Sequence, residues 1–293
     1  MSKPSKDLKC NTDELITENP WQKLKSFTSA RIGLGRAGNS IPTDEQLSFQ
    51  LDHARAIDAV HKALDVKTLL SQISQSTLLA NAITTPPSVV SSKATDRMTY
   101  LQRPDFGRQL NEASWQLLVD KREESNKEFD IAIVIADGLS STAIQKHALP
   151  VVEKLVERLV ADTTHDWSIA PLTLVTQGRV ASGDDAGECL KAKITLILIG
   201  ERPGLTSPDS MGIYITWAPK RGAKDSTRNC ISNIRPEGLP YDEASQKAFY
   251  LLSESIKLQL SGINLKDRSG NSNENGEGIT MNLPTSFLLS AKE

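Results

Sequence analysis

The chain has 293 residues, 38% hydrophobic and 24% charged, with a formal net charge of −2. That length and balance suit a globular protein with a full core. They exclude a strongly basic nucleic-acid binder or a polybasic membrane-surface protein. The first twenty residues are polar and lack the apolar segment of a signal peptide, so a flexible N-terminal segment is expected over 1–20. No apolar run reaches membrane-spanning length. Next comes "RIGLGRAG", Arg31 to Gly38, which matches G-x-G-x-x-G at Gly33, Gly35 and Gly38. A dinucleotide turn needs a buried strand before it and a helix directly after it. Here the preceding Pro20 to Ile32 is polar and basic, and Pro42 delays the helix, so the expectation is a tight loop leading into a helix. From Glu45 to Ile73, apolar Leu47, Leu51, Ala54, Ile57, Val60 and Leu64 recur at three- and four-residue steps and predict one amphipathic helix. Ala80 to Arg97, rich in Ser and Thr with two prolines, reads as a linker or long loop. A further helix is predicted over Gly107 to Glu123.

The pattern then changes to strands alternating with helices. Phe129 to Gly138, "FDIAIVIADG", is a short apolar run of the kind buried on both faces of a sheet. The helix after it takes Ser140 or Ser141 as N-cap, and Pro150 is expected to kink or break it. A second strand is predicted over Pro171 to Gly178 and a short helix over Val180 to Ala192. A third strand begins at Lys193 and runs into "GERPG". After the loop Glu201 to Ser210 come a fourth strand over Met211 to Pro219 and an amphipathic helix over Pro240 to Asn264. The expected fold class is α/β: a helical N-terminal region followed by a Rossmann-like, mostly parallel sheet with helices on both faces. The corresponding divisions are a flexible segment over 1–20, a mainly helical region over 21–125, an α/β domain over 126–265 and a weakly ordered tail over 266–293.

In such a sheet, ligands bind beyond the carboxyl ends of the strands. Three glycine-bearing segments follow predicted strands: "ADGLSS", "QGRVASGD" and "GERPGL". They offer Asp137, Ser140, Arg179, Asp184, Glu201 and Arg202 along one sheet edge. A fourth segment, Lys220 to Leu239, shows little helical or strand periodicity and carries Arg228, Asn229, Cys230, Asn233 and Arg235. Plainer readings stand beside these. Glu201 and Arg202 can be an exposed loop pair, Cys230 a small buried hydrophobe, and Arg228 and Arg235 partners of helix C-termini or surface carboxylates. His53 and His61, two helical turns apart, are too distant to chelate one metal, and with His147 they read as structural. The three cysteines, Cys10, Cys189 and Cys230, form neither a disulfide framework nor a zinc spacing, which favours a reducing compartment. There is no G-x-S-x-G, and Cys230 has no base near it in sequence. These residues alone reach an α/β protein with a ligand-binding edge.

Taken in order, "RIGLGRAG", "FQLDHARAIDAV", "YLQRPDFGRQL", "ADGLSSTAIQKHALP", "GRVASGDDAG", "GERPGLTSPDSMGIYITWAP" and "RNCISNIRPEGLPYDEA" resemble the small (light) subunit of ethanolamine ammonia-lyase, from about Trp21 to Leu260. The resemblance implies a TIM-barrel large subunit that carries the substrate site, adenosylcobalamin held between the two chains, and a hetero-oligomer with several copies of each. It implies a radical conversion of ethanolamine to acetaldehyde and ammonia in which this chain supplies no catalytic acid, base or nucleophile and no metal ligand. The family's cobalamin contacts fall on Val180, Glu201 and Cys230, and 126–265 becomes the cobalamin-binding domain. Because D-x-H-x-x-G does not occur, the cofactor is expected to keep its own benzimidazole on cobalt. The "RIGLGRAG" loop is then expected at subunit contacts outside the sheet. The implied setting is the cytoplasm or a bacterial microcompartment within it. Two alternatives remain at this stage: a structural or targeting subunit without cofactor contact, and a Rossmann-type nucleotide-binding oxidoreductase.

Overall fold

The computed structural model describes residues 16–269 apart from positions 18, 29, 84 and 126. The expectations for 1–15, including Cys10, and for 270–293 lie outside the described residues. Near the start, β1 (Ile16–Thr17) and β2 (Arg36–Ala37) form a two-residue antiparallel ladder. Gly33, Gly35 and Gly38 all take positive φ, and the following helix starts only at Thr43, so the glycine motif is a tight loop outside the main sheet.

The predicted helix over Glu45 to Ile73 is two helices, α1 (Thr43–His61) and α2 (Val66–Gln75). Asp65 starts the second: its side chain accepts from the Thr68 N–H at 3.0 Å. A third, α3 (Thr77–Ala82), follows with Ser76 as its cap. The apolar stripe of α1 does not face the core. Leu47, Leu51 and Ile57 are 59%, 50% and 57% exposed, and only Ala59 of this helix is buried. The stretch read as a linker contains a strand, β3 (Ser88–Ser91), paired in parallel with the main sheet. After it come α4 (Arg97–Gln102), α5 (Pro104–Gly107) and α6 (Glu112–Ser125), so the helix predicted from Gly107 starts five residues later.

The remaining elements are β4 (Phe129–Ala136), α7 (Ser141–Val160), β5 (Thr173–Thr176), α8 (Val180–Cys189), β6 (Ala192–Gly200), β7 (Met211–Trp217), β8 (Arg228–Ile234) and α9 (Tyr241–Leu258). Six strands form one sheet in the order β3-β5-β4-β6-β7-β8. The pairings among β3, β5, β4 and β6 are parallel, and β7 and β8 are added antiparallel. The segment expected to be irregular, Lys220 to Leu239, therefore contains the edge strand β8. Every residue of β4 is buried, because both faces of the sheet are covered. Ile131, Ile133 and Ile135 pack into the core formed with α7 and α9. Ala132, Val134 and Ala136 pack toward α6 and α8.

Ser140 caps α7, accepting from the Ala143 N–H at 3.3 Å. Pro150 neither breaks the helix nor divides it: α7 runs unbroken for 20 residues. Ile144, Ala148, Val151, Val152, Leu155, Val156 and Leu159 are all buried along it, and this packing on both sides of the proline outweighs one lost backbone hydrogen bond. Among the described residues no helix is long and apolar enough to cross a membrane.

Candidate functional site

Because β4, β5 and β6 are parallel neighbours, their carboxyl ends share one edge. From β4 the chain turns through Asp137–Ser140 into α7, and from β5 through Gln177–Arg179 into α8 on the opposite face. β5 and β6 flank β4 on opposite sides, so the strand order reverses here, and a crevice opens beyond the strand ends. It consists of two depressions. One, of about 420 Å³, is lined by Tyr100, Gly138, Arg179, Val180, Glu201 and Tyr214, among others. The second, of about 390 Å³, adds Arg108, Asp225, Arg228 and Cys230 and shares Arg179, Val180 and Tyr214 with the first.

Several sequence-predicted residues build this edge rather than face a ligand. Asp137 is 2% exposed and ties two loops together, its oxygens accepting from the Gln177 and Gly178 N–H groups at 2.9 Å each. Burial pushes its pKa up to about 6, against the pull of those amides and of Arg97 3.7 Å away. Arg97 also donates to the Val60 and Gly138 carbonyls at 2.6 and 2.8 Å, joining the end of α1 to the edge. The Ser140 hydroxyl donates to the Pro208 carbonyl at 2.8 Å. Gly138 has φ +59°, and a Cβ on it would stand 2.2 Å from the Gly200 oxygen, so the two loop backbones touch directly.

Arg228 meets neither a helix C-terminus nor a surface carboxylate as its main partner. It reaches the buried Asp184 through Nε at 3.0 Å and Nη2 at 2.5 Å, pinning β8 to α8, and it also contacts Asp225. Asn229 fastens the segment after α9 through Gly262 and Leu265. Arg235 is buried, with Nε donating to the Asn233 side chain at 3.1 Å. His147 is buried, with Nδ1 2.7 Å from the Tyr241 hydroxyl, and burial lowers its pKa. His53 and His61 are exposed on α1, where the His53 ring packs edge-on against Phe49.

Val180, Glu201 and Cys230 stand around Tyr214. Val180 opens α8 and lines both depressions. Glu201 follows β6 directly, and its Oε2 accepts from the Ser210 hydroxyl at 2.5 Å and the Asn233 N–H at 3.2 Å. Oε1 takes no hydrogen bond from the described residues. Glu201 is half-buried and Arg202 is exposed, and the two form no ion pair among the described residues. Cys230 is exposed, not a buried hydrophobe, and faces Tyr214 across the β7–β8 ladder. The packed atoms around its sulfur push the thiol above its ordinary value; the Tyr214 hydroxyl opposes this and Glu201 adds to it. Among the described residues no cluster of His, Cys, Asp or Glu has the arrangement of a metal site.

Sequence reasoning missed Tyr100, Arg108 and Tyr214. Tyr100 is buried under the guanidinium groups of Arg97 and Arg179, which lie 4.6 and 4.5 Å from its ring centre. Tyr214 sits in an apolar strand, where its side chain reads as packing, yet it lines both depressions. All three nevertheless lie in motifs that carry the resemblance, Tyr100 and Arg108 in "YLQRPDFGRQL" and Tyr214 in "GERPGLTSPDSMGIYITWAP". The edge as a whole offers an acceptor carboxylate, a phenol and apolar surface.

A sequence model of the ethanolamine ammonia-lyase light chain (EutC) matches residues 18–266. The chain is 50% identical over 255 residues to the ethanolamine ammonia-lyase small subunit of Pseudomonas aeruginosa (strain PAO1), covering 86% of this chain and 89% of that one. It is 49% identical over 273 residues to the small subunit from Azotobacter vinelandii (strain DJ), covering 93% and 96%. It is 50% identical over 252 residues to that of Pseudomonas putida (strain KT2440), covering 86% and 89%.

Proposed function

Because the chain belongs to the ethanolamine ammonia-lyase light-chain family, we propose that its sheet edge holds adenosylcobalamin against the large catalytic subunit of the lyase. Bound there, the cofactor supplies the homolytic cobalt–carbon chemistry that converts ethanolamine to acetaldehyde and ammonia. The observation that carries the reading is the convergence of Val180, Glu201 and Cys230, from three separate elements, on one crevice around Tyr214.

The residues fit the group. The two open depressions would lie against the cofactor, with their solvent side left to the large subunit. Glu201 Oε1 would accept from a corrin carboxamide NH2. Val180 and the Tyr214 ring give apolar contact and exclude water. Cys230 touches the cofactor as a neutral thiol. This chain contributes no acid or base to the reaction; the substrate site belongs to the large subunit, within an oligomer of several copies of each chain. We place the complex in the cytoplasm or in a bacterial microcompartment, and read 126–265 as a Rossmann-like cobalamin-binding domain behind a mainly helical region over 21–125.

The test is acetaldehyde release from ethanolamine and adenosylcobalamin, using the large subunit with and without this chain. Activity that requires both chains is expected. Full activity from the large subunit alone makes this chain a structural or targeting accessory and overturns the proposal.

A further inference from the structure

The β7–β8 ladder is irregular at one place. Met211 pairs with Ile234 and Ile213 with Ile231, so Ser232 and Asn233 stand opposite the single residue Gly212. This is a bulge on the edge strand, and Asn233 takes φ +60° to make it. Its N–H, turned out of the ladder, donates to Glu201 Oε2, the oxygen that also takes the Ser210 hydroxyl. Ser210 is buried, and its carbonyl accepts the Glu201 N–H at 2.9 Å, so it grips that residue by backbone and side chain together. Opposite the bulge, a Cβ on Gly212 would stand 2.8 Å from Glu201 Oε1. The carboxylate lies over the glycine because there is no side chain to displace it.

We infer that Ser210, the bulged Asn233 amide and the clearance at Gly212 are a positioning device that presets the Glu201 carboxylate for a primary carboxamide N–H of the ligand. One oxygen is saturated by the protein and the other is left for the ligand, so the acceptor is ordered before binding rather than by it. This inference rests on the reading of Glu201 as a cobalamin contact. Ser210 and Gly212 touch no ligand in it; they act through Glu201.

The test measures equilibrium binding of hydroxocobalamin, which has no adenosyl group to lose, to the assembled two-subunit complex. Glu201→Ala is expected to weaken binding about tenfold, the scale of one hydrogen bond to a charged group. Ser210→Ala and Gly212→Ala are each expected to lose most of that affinity with unchanged thermal unfolding midpoints. Adding Ser210→Ala to Glu201→Ala is expected to cost nothing further, and Ser210→Thr, which keeps the hydroxyl, to restore binding to within about threefold. A purely structural serine predicts additive losses instead. Additive losses, or wild-type binding by both Ser210→Ala and Gly212→Ala while Glu201→Ala binds weakly, overturn the positioning inference and leave the Glu201 contact standing. Wild-type binding by Glu201→Ala overturns that contact and the inference with it.

Discussion

Asp137 carries a charge where the fold has least room for one, and its cost is readable against pH. Its pKa is raised by burial from 3.8 to about 6, so the folded chain holds this proton over a range in which the unfolded chain has released it. The associated stability is complete below the unfolded value and declines as pH rises through the folded one. Asp137→Asn removes that dependence. The gap in unfolding free energy between the two proteins is therefore expected to move in favour of the variant, by about 2 kcal/mol, from about pH 4.5 to about pH 7.5 in urea titrations. A gap that stays constant, or moves the other way, contradicts the assignment. Cys230 differs, since it borders solvent and holds no loop together. Cys230→Ala is expected to weaken cobalamin retention by the assembled complex about threefold without changing the unfolding midpoint. Alkylation of the isolated chain is expected to label Cys230 and to accelerate with pH. Cys189, buried and pushed up to about 12, stays unlabelled until the chain unfolds.

At the level of elements, the site is held by contacts that join one strand or helix to the next. The buried Asp184–Arg228 pair fastens α8 to the edge strand β8. Arg228→Met leaves the Asp184 carboxylate buried and uncompensated and is expected to cost about 3–5 kcal/mol by urea unfolding. The Asp184→Leu, Arg228→Met double variant recovers part of that loss; equal losses in single and double variants count against an ion-pair origin. Gly138→Ala drives a Cβ into the Gly200 carbonyl at positive φ, and a loss of about 2–4 kcal/mol is expected there. Which elements were readable follows from the same physics. β4 and β6 are buried on both faces and announce themselves as continuous apolar runs, and α8 follows directly from its glycine-bearing turn. β8 reads "RNCISNI" because an edge strand with a bulge needs few apolar residues, and β3 is only four residues long. Pro150 was given too much weight against the apolar stripe of α7 that spans it. The α1–α2 break was marked by Asp65 and Thr68, a capping pair lost inside a long apolar periodicity.

On the scale of the whole molecule, the order β3-β5-β4-β6-β7-β8 brings distant segments to one edge: positions 138, 180, 201 and 230 converge there. The edge itself was legible, because parallel strands send their carboxyl ends the same way. The residues that knit it together were not, since Arg97, Tyr100 and Tyr214 come from elements whose periodicity reports packing only. The family resemblance points to Val180, Glu201 and Cys230, and the fold places them around one crevice. The exposed stripe of α1 leaves from the same edge, to which Arg97 ties it. The most direct test of the central claim is amide hydrogen exchange on the assembled two-subunit complex, with and without hydroxocobalamin. Added protection is expected in 137–140, 177–182, 201–214 and 228–234, with none at the opposite sheet end around Asp130 and Lys193. Protection confined to the large subunit, or falling at that opposite end, contradicts a cobalamin site on this edge.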